Sequence, residues 1–143
     1  MPHSLGGRTR YAALAVGTIV LGLAVYGSGS AIPPVVRDVL GDALWAAMMT
    51  WWISAIAPGM PPRWRSLVAL AVCFAVEISQ LVHFPAIDAI RRTTAGHLVL
   101  GSGFEPRDFW AYAVGVLAAV LLDRVLKLST PAGEPRAARS SRP

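Results

Sequence analysis

The sequence predicts an all-helical integral membrane protein, a four-helix transmembrane bundle with a long ordered outer loop between helices 3 and 4. Three observations carry this. The 143-residue chain is 55% hydrophobic and 15% charged, with a mean hydropathy of +0.53, which does not suit an ordinary soluble domain. Its apolar residues come in blocks: the runs 11–26, 39–57 and 67–76 hold one acid between them, Asp42, and 109–122 carries no charge. A soluble amphipathic helix also turns a polar residue to water on every turn, and these segments do not. With its flanks, each approaches the roughly 20 residues that a helix needs to cross a hydrocarbon layer about 30 Å thick.

The helices are expected at about 11–27, 37–57, 64–84 and 107–128, making one transmembrane domain over 1–128. Arg8 and Arg10 stand before the first run, as they would in a signal peptide, and a Gly-Ser-Gly-Ser stretch follows at 27–30. Because three further hydrophobic segments come after it, the segment reads as a retained first helix. The second helix carries Trp45, Trp51 and Trp52, read as interface anchors or packing residues, and is stopped by Pro58, Gly59, Pro61 and Pro62. Pro85 and Pro106 bound the segment between the third and fourth helices. Residues 129–143, rich in Pro, Ala, Arg and Ser, cannot bury a core and read as a disordered basic tail.

The formal charge of +5 and the pI near 10.4 raise the question of nucleic acid. The bases sit at segment ends, where lipid headgroups and the positive-inside bias would put them, so membrane lipid is the expected partner and nucleic acid is not. With the N-terminus inside, nine of the thirteen Lys and Arg residues flank the inner side, which places both termini in the cytoplasm. The single cysteine, Cys73, lies in an apolar run and reads as a small core residue. No cofactor is implied. His83 and His97 have no third ligand at a metal-binding interval, so no metal site is expected.

Polar residues at membrane depth are the candidates for function. Glu77 lies about 20 Å along the third helix from Trp64 at 1.5 Å per residue, so it should face the bundle interior. Gln80, at i+3, shares its face. The segment 85–108 is longer than a simple turn requires, and Ile87, Ile90, Leu98, Val99, Leu100 and Phe104 give it apolar residues to order itself on the outer surface. Within it Arg91 and Arg92 are either headgroup anchors or a clamp for carboxylate or phosphate. Gly96, Gly101 and Gly103 would let backbone approach a ligand. Asp108 suits the first turn of the fourth helix, where a carboxylate favours the dipole. Asp38 and Asp42, four apart near the start of the second helix, read as facing water. Glu77 is expected to meet Arg91, Arg92 or Arg107 directly, or through Gln80, Tyr112 or water.

Gly41-Asp-Ala-Leu-Trp45, Glu77-Ile-Ser-Gln-Leu81, Ala89-Ile-Arg-Arg-Thr-Thr-Ala-Gly-His-Leu-Val-Leu-Gly-Ser-Gly-Phe104 and the stretch from Asp108 to Tyr112 resemble a bacterial family, domain of unknown function 2809 (DUF2809). The resemblance implies a small multipass membrane protein and no assigned activity. More distantly, Glu77-x-x-Gln80 and Asp108-x-x-x-Tyr112-x-x-Gly115 are similar to the pattern of the VanZ-like proteins, a group associated with glycopeptide resistance, with Tyr112 in place of an amide.

Three functions compete on these residues. The first is binding of an amphipathic anionic ligand, a lipid or cell-envelope precursor, by Glu77, Gln80, Arg91, Arg92, His97, Asp108 and Tyr112 near the outer leaflet of the bacterial cytoplasmic membrane. The second is an intramembrane enzyme acting on a lipid-linked substrate, with Glu77 and Asp108 as acid and base. The third is a proton-coupled transporter subunit using Glu77 as carrier, which would require a homo-oligomer.

Overall fold

A computed structural model of the chain describes residues 3–101 and 103–126. The tail expected at 129–143 lies outside the described residues. Every regular element among the described residues is helical. The order is α1 (His3–Tyr26), a single 3-10 turn (Gly29–Ala31), α2 (Pro34–Ile56), α3 (Pro62–Ser79), α4 (Pro85–Arg91), α5 (Thr94–Leu100) and α6 (Asp108–Leu126). Three of them are long and apolar enough to cross a membrane: Gly6–Tyr26 within α1, α2 and α6. The 18 residues of α3 include Arg63, Arg65 and Glu77, which set it apart from those three.

Two boundaries differ from the sequence reading by five residues or more, each for a local reason. α1 begins at His3, well before its apolar run: 3–10 holds no proline, and the helix that the apolar stretch nucleates extends back through Gly6 and Gly7. α3 stops at Ser79, five residues short of Phe84. Pro85 does hold Phe84 extended, at φ −119° and ψ 138°. The chain has already left the helix by then, because the Arg91 guanidinium reaches back to the carbonyls of Ser79 (2.7 Å) and Val82 (3.0 Å) and stabilises the turn. The expected outer loop is partly helical: Pro85 opens α4, and the Thr93 hydroxyl accepts from the Gly96 amide at 3.0 Å to cap α5.

α2 is the central helix, packed against α1, α3 and α6, while α3 also packs on α6. The core is built from small side chains. Ala46, Ala69 and Cys73 meet Tyr112 and Val116 in one cluster, and Ala15 and Ala119 meet Tyr11 and Trp51 in the other. Cys73 is buried there as a core residue, as its apolar setting implied. A Cβ on Gly115 would run into the Ala43 carbonyl, so glycine is what lets α6 approach the α2 backbone closely. Large apolar residues lie outside instead, among them Val20, Leu23, Leu67, Leu117 and Val125, and Trp110 is 78% exposed. Small residues inside and Leu and Val outside is the packing of helices in lipid rather than in water. Of the tryptophans, Trp51 is core, stacked on Tyr11 at 6.2 Å between ring centroids.

The long helices alternate in direction, which gives the bundle two ends. At the near end α1, α3 and α6 are tied by one buried hydroxyl. Tyr11 donates to Asp123 Oδ1 (2.8 Å) and accepts from Arg65 Nη1 (3.1 Å), and the guanidinium also lies 5.4 Å above the Tyr11 ring. Arg65 donates through Nε to the Met60 carbonyl at 2.8 Å and is only 4% exposed, so it is a packing residue and not the headgroup anchor its place at a segment end suggested. At the far end lie Glu77, Tyr112, Asp108 and the α5–α6 connection.

Candidate functional site

Glu77 sits on the last full turn of α3 and is fully buried. Three neutral groups hold its carboxylate. Gln80 Nε2 and the Tyr112 hydroxyl each donate to Oε2 at 3.0 Å, and the backbone N–H of Glu105 donates to Oε1 at 2.6 Å. Of the contacts expected for Glu77, the direct one to an arginine is not made: among the described residues no guanidinium lies within ion-pair distance of it. The physical reason is that two or three well-aimed neutral donors satisfy a buried carboxylate as a cation would, and the cost of desolvating a second charge is avoided. The connection does fold back over the bundle, but it delivers a peptide N–H. Tyr112 supplies the donor from α6.

Glycines bring that connection down. Gly101 ends α5 at φ +67°, a conformation costly for residues with a Cβ, and a Cβ there would strike the Gln80 side chain. Gln80 is thereby pinned, 6% exposed, with its Nε2 on Glu77 and its Oε1 buried without a donor.

Above this layer stands a cluster of acids. Arg107 is its centre: Nε lies 2.6 Å from Glu105 Oε2 and 3.6 Å from Asp108 Oδ1, and Nη2 lies 3.7 Å from Asp38 Oδ2. Asp42 leans toward the start of α2, as helical side chains do, and comes within hydrogen-bonding reach of the Asp108 carboxyl group. Asp108 Oδ1 is buried and has no hydrogen-bond donor. Five carboxyl groups thus gather at the far end around one arginine that pairs with three of them.

The cluster forms the floor of a cleft of about 820 Å³. Ile19, Gly22 and Leu23 of α1 and Leu44, Trp45 and Met48 of α2 give it an apolar wall, and α5 closes over it with His97, Leu98 and Val99. Of the residues singled out from the sequence, Gln80, His97, Asp108 and Tyr112 line the cleft, with Glu77 directly behind Gln80 and Tyr112. Arg91 and Arg92 do not line it. Arg91 is buried against the end of α3 and ion-paired with Asp88 at 3.3 Å, and Arg92 is exposed. Asp42, Asp38 and Glu105 belong to the site and were not read as such. The available signal was depth: Asp42 stands eight residues into α2, about 12 Å along its axis, too far from the end for a charge that simply faces water.

The family model described as Protein of unknown function (DUF2809) matches residues 31–116, more than half of the chain. The chain belongs to this family. The DUF2809 match runs from before α2 to the Val116 contact in α6, so it takes in the whole polar floor, from Asp38 and Asp42 through Glu77 and Gln80 to Glu105, Asp108 and Tyr112. Tyr11 and Asp123 of the near-end cluster fall outside it. No solved structure matches the DUF2809 chain described here.

Proposed function

We propose that this DUF2809 protein is a multipass bacterial inner-membrane protein, with α3 crossing beside the three more apolar helices and both termini cytoplasmic, that binds an amphipathic, lipid-like ligand in the far-end cleft. Glu77 is satisfied internally and Arg65 is buried on Tyr11, so neither need face lipid, which supports α3 as the fourth span. The observation that carries the ligand reading is the juxtaposition in one cleft of an apolar wall, Ile19, Leu23, Leu44 and Met48, with a polar floor, Gln80, Asp42 and Asp108. A volume of about 820 Å³ falls in the range of small-molecule sites.

The geometry supports a head group rich in hydrogen-bond donors, an amine or a polyol, over the anionic head expected from Arg91 and Arg92. Those two arginines lie elsewhere. The two that line the cleft are engaged, Arg37 with the Gly29 carbonyl at 3.1 Å and Arg107 with carboxylates. What the floor has in excess is acceptors. The enzyme reading draws less support, because Glu77 has both oxygens held by donors and sits behind Tyr112, where a substrate would not reach it.

Mass spectrometry of lipid co-purifying with the detergent-extracted protein tests this. Amine-bearing or polyol lipids should be enriched over their share of the host membrane, and the enrichment should fall in Asp42→Asn and Asp108→Asn. A co-purified pool that mirrors the bulk membrane, or one dominated by anionic heads and unchanged in both variants, would refute the reading.

A further inference from the structure

The pairing of Asp42 with Asp108 implies more than a ligand contact. A carboxylate is an acceptor only, so two carboxyl groups within hydrogen-bonding reach need a hydrogen between them. Asp108 Oδ1 is shut away from solvent without a hydrogen-bond donor, so this carboxyl group is itself short of a hydrogen. A second group makes the same demand independently: Gln80 lines the cleft, is 6% exposed, and has a buried Oε1 with no donor.

The charges around the pair do not supply what is needed. From α2 come Asp38 and Arg37, from α3 Glu77, from α5 His97, from α6 Tyr112, and from the connection Glu105 and Arg107. Arg37 is turned to a carbonyl, and Tyr112 gives its hydrogen to Glu77. Arg107 is the nearest cation, yet its shortest contact is to Glu105, and at 3.6 Å from Asp108 it is beyond hydrogen-bonding distance. Among the described residues no three His, Cys, Asp or Glu side chains are arranged to hold a metal ion. We propose that Asp42 and Asp108 are a proton-binding site in which the two carboxyl groups hold one proton between them at the floor of the cleft. The site is distinct from Glu77, whose oxygens are met by neutral donors. Like charges this close cannot both stay ionised, and one proton removes the conflict and gives Asp108 its donor.

Infrared spectroscopy of the full chain reconstituted in lipid at neutral pH tests this without any ligand. The wild-type protein should show the C=O stretching band of a protonated carboxylic acid, shifting when H₂O is replaced by D₂O. Asp42→Asn and Asp108→Asn should each abolish the band, because the new amide donates to the remaining carboxylate and no proton is required. Asp88→Asn, outside the cleft and paired with Arg91, should leave it in place. Absence of the band from the wild type would overturn the proposal, with no appeal to a variant. So would its survival in both Asn variants, or its loss in only one of them, which would assign the proton to a single carboxyl group. Failure of the lipid-binding test would leave this result standing on its own.

Discussion

A tyrosine hydroxyl donates to a buried carboxylate at each end of the bundle, Tyr11 to Asp123 at 2.8 Å and Tyr112 to Glu77 at 3.0 Å, and the two ends differ in everything around that bond. At the near end Arg65 joins the same hydroxyl and the void beside it is about 10 Å³, room for about one water. At the far end the third partner is a peptide N–H, four more carboxyl groups crowd in, three of them on Arg107, and a cleft of about 820 Å³ opens. A closed, paired cluster locks helices together. An open cluster with surplus acceptors has something left to bind, and the difference teaches that a buried carboxylate signals function less by its own depth than by what its neighbours leave unsatisfied.

The comparison breaks most readily at Arg65. Arg65→Ala removes the buried guanidinium that donates to Tyr11 and to the Met60 carbonyl, and a buried group left without its hydrogen-bond partner typically costs about 1–3 kcal/mol. Thermal unfolding in detergent should therefore show a large loss of stability, and the residual folded protein should still bind ligand. A loss below about 1 kcal/mol, the range of exposed ion pairs, would mean that the near end is not a lock.

Gly101→Ala sharpens the far end. The positive φ and the closeness of Gln80 make a Cβ unfavourable there, at a cost of about 1–3 kcal/mol. The effect should be local: faster hydrogen exchange at the Glu105 amide with the amides around Tyr11 unchanged. Uniform acceleration over both ends would show that the two clusters are one cooperative unit.

The smallest effects on stability should come from the site itself. Asp42→Asn and Asp108→Asn each put an amide donor where the pair holds its proton, so unfolding temperature should hold while ligand binding falls. Amine binding to the wild type should release a proton, read as a calorimetric heat that depends on the ionisation enthalpy of the buffer, and both variants should lose that dependence. Arg92→Ala, at an exposed residue outside the cleft, should change stability by less than about 0.5 kcal/mol and leave binding intact.

Much of this organisation could be read from the residues. Blocked hydropathy marked the apolar helices, since a helix in lipid must be apolar all round, and the cost of a carboxylate at depth turned Glu77 inward. The i, i+4, i+7 spacing of Asp108, Tyr112 and Gly115 put all three on the buried face of α6. What could not be read was which partner would meet which. Arg91 looked like a ligand clamp because its chemistry fits one, yet the chain used its two terminal nitrogens, Nη1 and Nη2, to hold the end of α3. The Glu105 peptide N–H carries no signature in sequence at all. Asp123 and Arg65, separated by more than fifty residues, meet on Tyr11 only once the helices have packed.

The central claim is that the far end recognises a donor-rich head group beside an apolar chain, and it is tested most directly by comparing two ligands that differ only in the head. Isothermal calorimetry would measure dodecylamine and dodecyl sulfate binding to the protein in uncharged detergent. The account expects the amine to bind at least about tenfold more tightly, a difference of about 1.4 kcal/mol, and expects Asp42→Asn and Asp108→Asn to erase that preference. Equal affinities, tighter binding of the sulfate, or a preference untouched by both substitutions would contradict it.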